Sequence, residues 1–96
     1  MKPSVLLNKY RHQVRDIALR HRVASVKVFG SVLHGEDTDG SDLDLLVEPT
    51  SQTTMFDIGG IQFEVSELLG IHVDVLTPRA LPESFRAQVL AEARPL

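Results

Sequence analysis

From Ser4 to Arg22 the apolar residues Val5, Leu6, Tyr10, Val14, Ile17 and Ala18 recur at helical spacing, which predicts one amphipathic helix. Ser4 stands where a cap is wanted, and Arg20, His21 and Arg22 gather at the end that the helix dipole makes hospitable to positive charge. Val23 to Phe29 is short and rich in β-branched residues, the signature of a strand. Gly30 ends it, and residues 31–35 have room for one or two helical turns. Residues 36–40, Glu-Asp-Thr-Asp-Gly, read as a polar loop.

Ser41 to Glu48 alternates as a second strand until Pro49 stops it. Between Thr53 and Leu69 the residues Ile58, Ile61, Val65, Leu68 and Leu69 share one helical face. Gly59 and Gly60 weaken that helix by roughly 1 kcal/mol each, and Gly70 suits its C-terminal end. Ile71 to Leu76 reads as a third strand, broken by Pro78. Residues 82–93 form a last amphipathic helix carrying Phe85, Val89 and Leu90. The order is therefore α-β-(α)-β-α-β-α. Such alternation predicts an α/β (α+β) fold, a small mixed sheet flanked by helices.

Composition narrows the classes of function. The chain has 96 residues, 43% hydrophobic and 24% charged, which is expected to form one domain over residues 1–96. The absence of cysteine excludes disulfides, thiolate zinc sites and cysteine nucleophiles, and fits a cytoplasmic setting. No apolar run approaches the ~18–20 residues of a membrane span, and the N-terminus does not read as a signal peptide. Ten Lys and Arg against 13 Asp and Glu leave a net charge of −3, which disfavours direct binding to nucleic acid backbones.

The position of that acid matters more than its amount. Asp42 and Asp44 lie two apart in the second strand, so both carboxylates project from one face while Leu43, Leu45 and Val47 point to the core. Two such carboxylates repel unless a cation sits between them, and Mg²⁺ is the expected occupant because it favours one or two carboxylates completed by phosphates and water. A solvated edge-strand face is the plainer explanation of a lone Asp-x-Asp. Asp74 changes that balance, because it occupies the matching face of the third strand between Val73 and Val75. Asp is a poor strand former, so its recurrence at strand centres suggests local stability yielding to function. Gly30-Ser31, after a strand and before a helical turn, offers backbone N–H groups and a hydroxyl to a phosphate. No Gly-Lys-Ser/Thr follows, so this is not a P-loop, and neither residues 35–46 nor a loop starting at Asp37 fits an EF-hand.

Gly30-Ser31, ten intervening residues and Asp42-Leu43-Asp44 together resemble the Gly-Ser-x10-Asp-x-Asp signature of the DNA polymerase β-type nucleotidyltransferases. The longer strings Val28-Phe29-Gly30-Ser31-Val32-Leu33-His34-Gly35 and Ser41 through Glu48 resemble the minimal nucleotidyltransferase (MNT) branch, and Asp74 matches its third carboxylate. The resemblance covers roughly residues 23–77. Many relatives have Arg before the second glycine where this chain has His34, so no phosphate-binding role is carried to His34.

The resemblance implies catalytic roles for Asp42, Asp44 and Asp74, which would also be the metal ligands. It implies nucleotide binding by Gly30, Ser31, Asp42 and Asp44, with ATP as donor and pyrophosphate leaving. Standalone MNT proteins are typically antitoxins paired with a HEPN-domain RNase toxin, and some transfer AMP from ATP to a tyrosine of that toxin. The expected function is thus Mg²⁺-dependent protein adenylyltransfer, with the acceptor surface on another protein and a homo- or hetero-oligomer as the assembly. Two alternatives stay open: a non-catalytic antitoxin that masks its toxin by binding, and a small-molecule nucleotidyltransferase acting as an oligomer. Lys27, His12, His21 and His72 read as surface residues, although His72 shares the face of Asp74.

Overall fold

The apolar, β-branched run Val23–Phe29 forms strand β1 over the expected residues, and Leu43–Pro49 forms β2 antiparallel to it. Val73–Leu76 forms β3, parallel to β2 and in register, so that Leu43 pairs with Val73 and Asp44 with Asp74. The computed structural model describes residues 1–96. A two-residue edge strand, Arg94–Pro95 (β4), adds to the other side of β1 and completes the order β3-β2-β1-β4. β4 carries no periodicity of its own and was not expected; it is held by its ladder with Lys27 and Val28 and by the Arg15 guanidinium, which donates to the Leu96 carbonyl.

Alternation divides the sheet into two unequal faces. Leu43, Leu45, Val47, Val73 and Val75 point to one side, where they pack with Val14, Ile17, Ile61, Val65 and Leu69 from the helices in a single main core. Truncating one of these fully buried leucines, such as Leu45→Ala, is expected to cost about 2–5 kcal/mol. The other side carries a small cluster of Phe29, Leu46 and Leu81 under the last helix. The uncovered remainder of that face leaves room for a site.

The elements follow the sequence pattern with several corrections, among them a third strand that starts at Val73 and not at Ile71. The expected helix over residues 4–22 is two helices, Pro3–Lys9 (α1) and Arg11–Arg20 (α2), because Tyr10 leaves helical dihedrals at φ −112° and ψ 23°. α1 has its own tether: the Ser4 N–H donates to the buried carboxylate of Asp37, 2.8 Å away, which holds Asp37 below the usual carboxylate range. Ser4 therefore lies inside α1 with its N–H capped from a distant loop, and Lys2 occupies the cap position without a side-chain bond. The second strand begins at Leu43 and not at Ser41, since the Ser41 hydroxyl accepts the Thr38 N–H and its own N–H bonds the Thr38 carbonyl, fixing it in a turn. Asp42 thus precedes the strand.

Gly30–Leu33 forms the short α3, and Met55–Leu69 forms α4. Thr54 and Asp57 make a reciprocal capping box at the start of α4, and Gly70, left-handed at φ 69°, ends it. After a 3-10 turn at Pro78–Ala80 comes Glu83–Glu92 (α5), none of whose residues is fully buried. Val89 packs on the small cluster, whereas Phe85 and Leu90 stay substantially exposed. No helix is long and apolar enough to cross a membrane.

Candidate active site

Parallel pairing of β2 with β3 sets Asp44 beside Asp74 at the end of the sheet where β1 stops. Asp42, one residue ahead of β2, reaches the same place because the Leu43 N–H is bonded to the His72 carbonyl, which locks the strand starts together. The sheet therefore brings Asp42, Asp44 and Asp74 to one edge from positions up to 32 apart in sequence. Their flanking residues Leu43, Leu45, Val73 and Val75 are buried on the opposite face and keep the acids directed outward.

The electrostatics of this edge are unbalanced. Burial, and then the charges of Asp74 and Asp42, push the Asp44 carboxyl up to about 6, with His72 acting weakly in the other direction. No Lys or Arg pairs with any of the three acids. His72 Nδ1 lies 3.4 Å from Asp42 Oδ1, and its Nε2 lies 3.8 Å from Asp74 Oδ1. One ligand atom each from Asp42, His72 and Asp74 falls within 4.8 Å of the others, close enough to share a cation, so His72 stands in this group where the sequence led to Asp44. Hard carboxylate oxygens, half exposed and mutually repelling, fit a divalent ion such as Mg²⁺ that retains several waters.

Gly30 is the other essential piece. Its φ of 76° lies in the left-handed region, and a methyl group there would overlap the Asp44 carboxylate oxygen Oδ2. Only glycine lets the end of β1 pass so close to that acid. Ser31 follows Gly30 within the first turn of α3. A cleft of about 460 Å³ runs from Gly30 and Asp44 between the sheet and α5, walled by Phe29, Leu33, Leu76 and Phe85. His34 reaches across one side of it, its Nε2 3.4 Å from a carboxylate oxygen of Glu92 on α5.

His72, exposed and on the face of Asp74 as its position implies, joins the acidic edge. One histidine differs from its reading as a surface residue. His21 is largely covered at the far end of the sheet, where Nδ1 lies 3.4 Å from Asp57 and Nε2 bonds Glu64. Nothing local in the sequence marks that contact, because its partners are 36 and 43 residues away.

The comparisons with known proteins agree with this geometry. Residues 7–96 match the family described as the nucleotidyltransferase domain. A protein of Methanocaldococcus jannaschii named as a candidate protein adenylyltransferase is 32% identical over 87 residues, spanning 91% of this chain and 94% of that protein. The protein adenylyltransferase MntA of Thermococcus cleftensis is 28% identical over 87 residues, or 91% of this chain and 85% of that one. Among solved structures, one described as a candidate minimal nucleotidyltransferase superposes with a TM-score of 0.85 at 40% identity, covering 97% of this chain and 95% of that one. The structure of a toxin-antitoxin with AMP-PNP shares the fold at a TM-score of 0.69 and 16% identity, covering 97% of this chain and 71% of that one. With the family match spanning nearly its whole length, the chain belongs to the nucleotidyltransferases and is an enzyme of that class.

Proposed function

We propose that the chain, acting as a single minimal nucleotidyltransferase domain, transfers AMP from ATP to a tyrosine hydroxyl of a HEPN-domain toxin and thereby acts as its antitoxin. The observation that carries this reading is the gathering of Asp42, Asp44 and Asp74 at one edge of the sheet, with Gly30 packed against Asp44 and the Asp44 carboxyl pushed up to about 6 by burial and then by the neighbouring acids. The relatives named as protein adenylyltransferases and the toxin-antitoxin fold neighbours support the choice of donor and partner.

In this reading Asp42, Asp44 and Asp74 hold Mg²⁺, which when bound neutralises the nucleotide phosphates. The Gly30 and Ser31 backbone seats the β- and γ-phosphates, and the 460 Å³ cleft beside Asp44 takes the nucleoside, a volume within the range of small-molecule sites. Asp74 accepts the acceptor hydroxyl's proton as that oxygen attacks the α-phosphorus in line. The new O–P bond forms as the α–β bridging bond breaks, and pyrophosphate leaves. Catalysis is then positioning plus charge neutralisation, which three carboxylates and a phosphate-binding turn can supply.

The experiment is to incubate the chain with α-labelled ATP, Mg²⁺ and the product of the neighbouring gene. Label is expected on the partner, and Asp42→Asn or Asp44→Asn should reduce transfer by at least about 100-fold. If no label moves and the Asn variants still silence the partner, the chain acts by masking and this reading fails.

A further inference from the structure

The exposed side of α4 is unlike any other surface of the molecule. Phe56 is 92% exposed and Phe63 64%, so two of the chain's four phenylalanines stand in solvent on one helix, joined by Met55 at 82%. Aromatic side chains dominate burial energetics, and an unpaired pair of them at helical spacing marks an interaction face. Between them lies Gly59, where an added Cβ would meet nothing within 4 Å. Its neighbour Gly60 is accounted for inside the chain, since a side chain there would strike the His21 ring at 2.6 Å. Gly59 has no such internal reason, yet glycine at an exposed helical position costs about 1 kcal/mol against alanine. A backbone arriving from outside would supply the reason.

The exposed aromatics of this face are placed symmetrically: Phe56 and Phe63 stand at equal distances on either side of the bond between Gly59 and Gly60. An isologous contact across a two-fold axis needs this property, because residue i must meet residue j while j meets i. We propose that α4 pairs with α4 of a second copy of this chain, antiparallel, with the glycines at the crossing and each Phe56 against the other copy's Phe63. The occupant follows from that self-complementarity and from charge. Glu67 is exposed and has no cationic partner within its own chain. Antiparallel pairing about residue 59.5 carries it to the start of the other α4, beside Arg22, whose guanidinium lies 3.6 Å from Asp57 in the first turn and is 60% exposed. The carboxylate there also meets the positive end of the helix dipole.

A 15-residue helix is about 22 Å long, so a single helix pair buries less than the ~800 Å² per partner of a standard interface. The dimer should therefore form at roughly tens of micromolar and come apart on dilution. The pairing uses a face remote from Asp42, Asp44 and Asp74 and does not depend on the proposed activity.

The test is sedimentation or light-scattering mass against concentration for the full chain. The wild type is expected to rise from 10.6 kDa towards twice that value as concentration increases, whereas Phe56→Ser and Phe63→Ser should stay at 10.6 kDa with unchanged thermal midpoints. Because the chain has no cysteine, Met55→Cys and Ser66→Cys variants provide the register. A short bismaleimide should link the two variants when mixed and link neither efficiently alone. A wild type that stays at 10.6 kDa up to roughly millimolar concentration overturns the proposal. So does a dimer that survives Phe56→Ser, or one in which each Cys variant cross-links to itself. A phenylalanine variant that fails only to bind a different protein assigns the face to that partner and overturns it as well.

Discussion

Where β1 begins, His21 stands between the carboxylates of Asp57 and Glu64, while where β1 stops, Asp42, Asp44 and Asp74 face one another with His72 their only basic neighbour. The residue types are nearly the same and the consequences are opposite. At the first end Asp57 is held below the usual carboxylate range by the Thr54 backbone N–H, with smaller help from His21 and Arg22. Glu64 is lowered chiefly by its bond to His21. At the second end Asp44 is pushed up to about 6. Compensated acids fasten α2 to α4 and contribute to the fold. Uncompensated acids detract from it, and the repulsion is relieved when a cation or proton arrives.

The largest expected effect separates these two roles. Asp44→Asn should lose transfer activity while gaining stability at neutral pH, the reverse of an ordinary site mutation. A carboxyl whose folded value is about 6, above the usual carboxylate range, binds its proton more readily in the folded state. Stability from this group is thus intact below about pH 4, falls as pH rises to about 6, and stays reduced above that. Asn has no charge to lose, so the variant's thermal midpoint should exceed the wild type's at pH 7.5 and match it near pH 4. Melting curves across that interval check the sign, and a lower midpoint for Asp44→Asn at pH 7.5 would refute the picture of stored repulsion.

His21→Ala is the complementary break, and its effect on stability should run in the other direction. Lowered carboxyls contribute stability above their unfolded values, and that contribution is lost as pH falls through the folded ones. The variant should therefore melt several degrees below the wild type at pH 7 and approach it below about pH 4, with nucleotidyl transfer retained. Parallel activity losses in His21→Ala and Asp44→Asn would mean the two ends are coupled and would end the comparison. A smaller effect is expected from millimolar Mg²⁺. It should raise the wild-type midpoint at pH 7.5 by binding the folded state alone, and shift Asp44→Asn less.

The acidic end was legible in the sequence because its evidence is local. Asp is a poor strand former, and the alternation of Leu43, Leu45, Val73 and Val75 fixes which way its neighbours point. Gly30 carried a second local mark, a strand immediately followed by a helical turn. The compensated end left no such trace, because its contacts join α2 to α4 across 36 and 43 residues and no periodicity reports them. The same holds for Asp37, which caps Ser4 from 33 residues away. The break at Tyr10 was hidden for a different reason: the buried stripe of Leu7, Val14, Ile17 and Ala18 runs on through it. Strand β4 is too short to show any pattern at all.

The finest test of the compensated end uses two adjacent residues of one helix. Alanine at either glycine removes the same backbone freedom and should stabilise α4 by up to about 1 kcal/mol where space allows. At Gly59 space does allow, since an added Cβ meets nothing within 4 Å. At Gly60 the new methyl would lie 2.6 Å from His21 Cε1 and 3.1 Å from Nε2, so the ring must move away from Asp57 and Glu64 to admit it. Gly59→Ala should therefore raise the thermal midpoint of the dilute chain, and Gly60→Ala should lower it, most clearly at neutral pH where the ring's carboxylate partners are ionised. In a His21→Ala background the obstacle is gone and the two substitutions should become alike. If Gly60→Ala still destabilises there, the ring is not what excludes a side chain from that position, and the close packing of His21 on α4 is not what makes this end of the sheet stable.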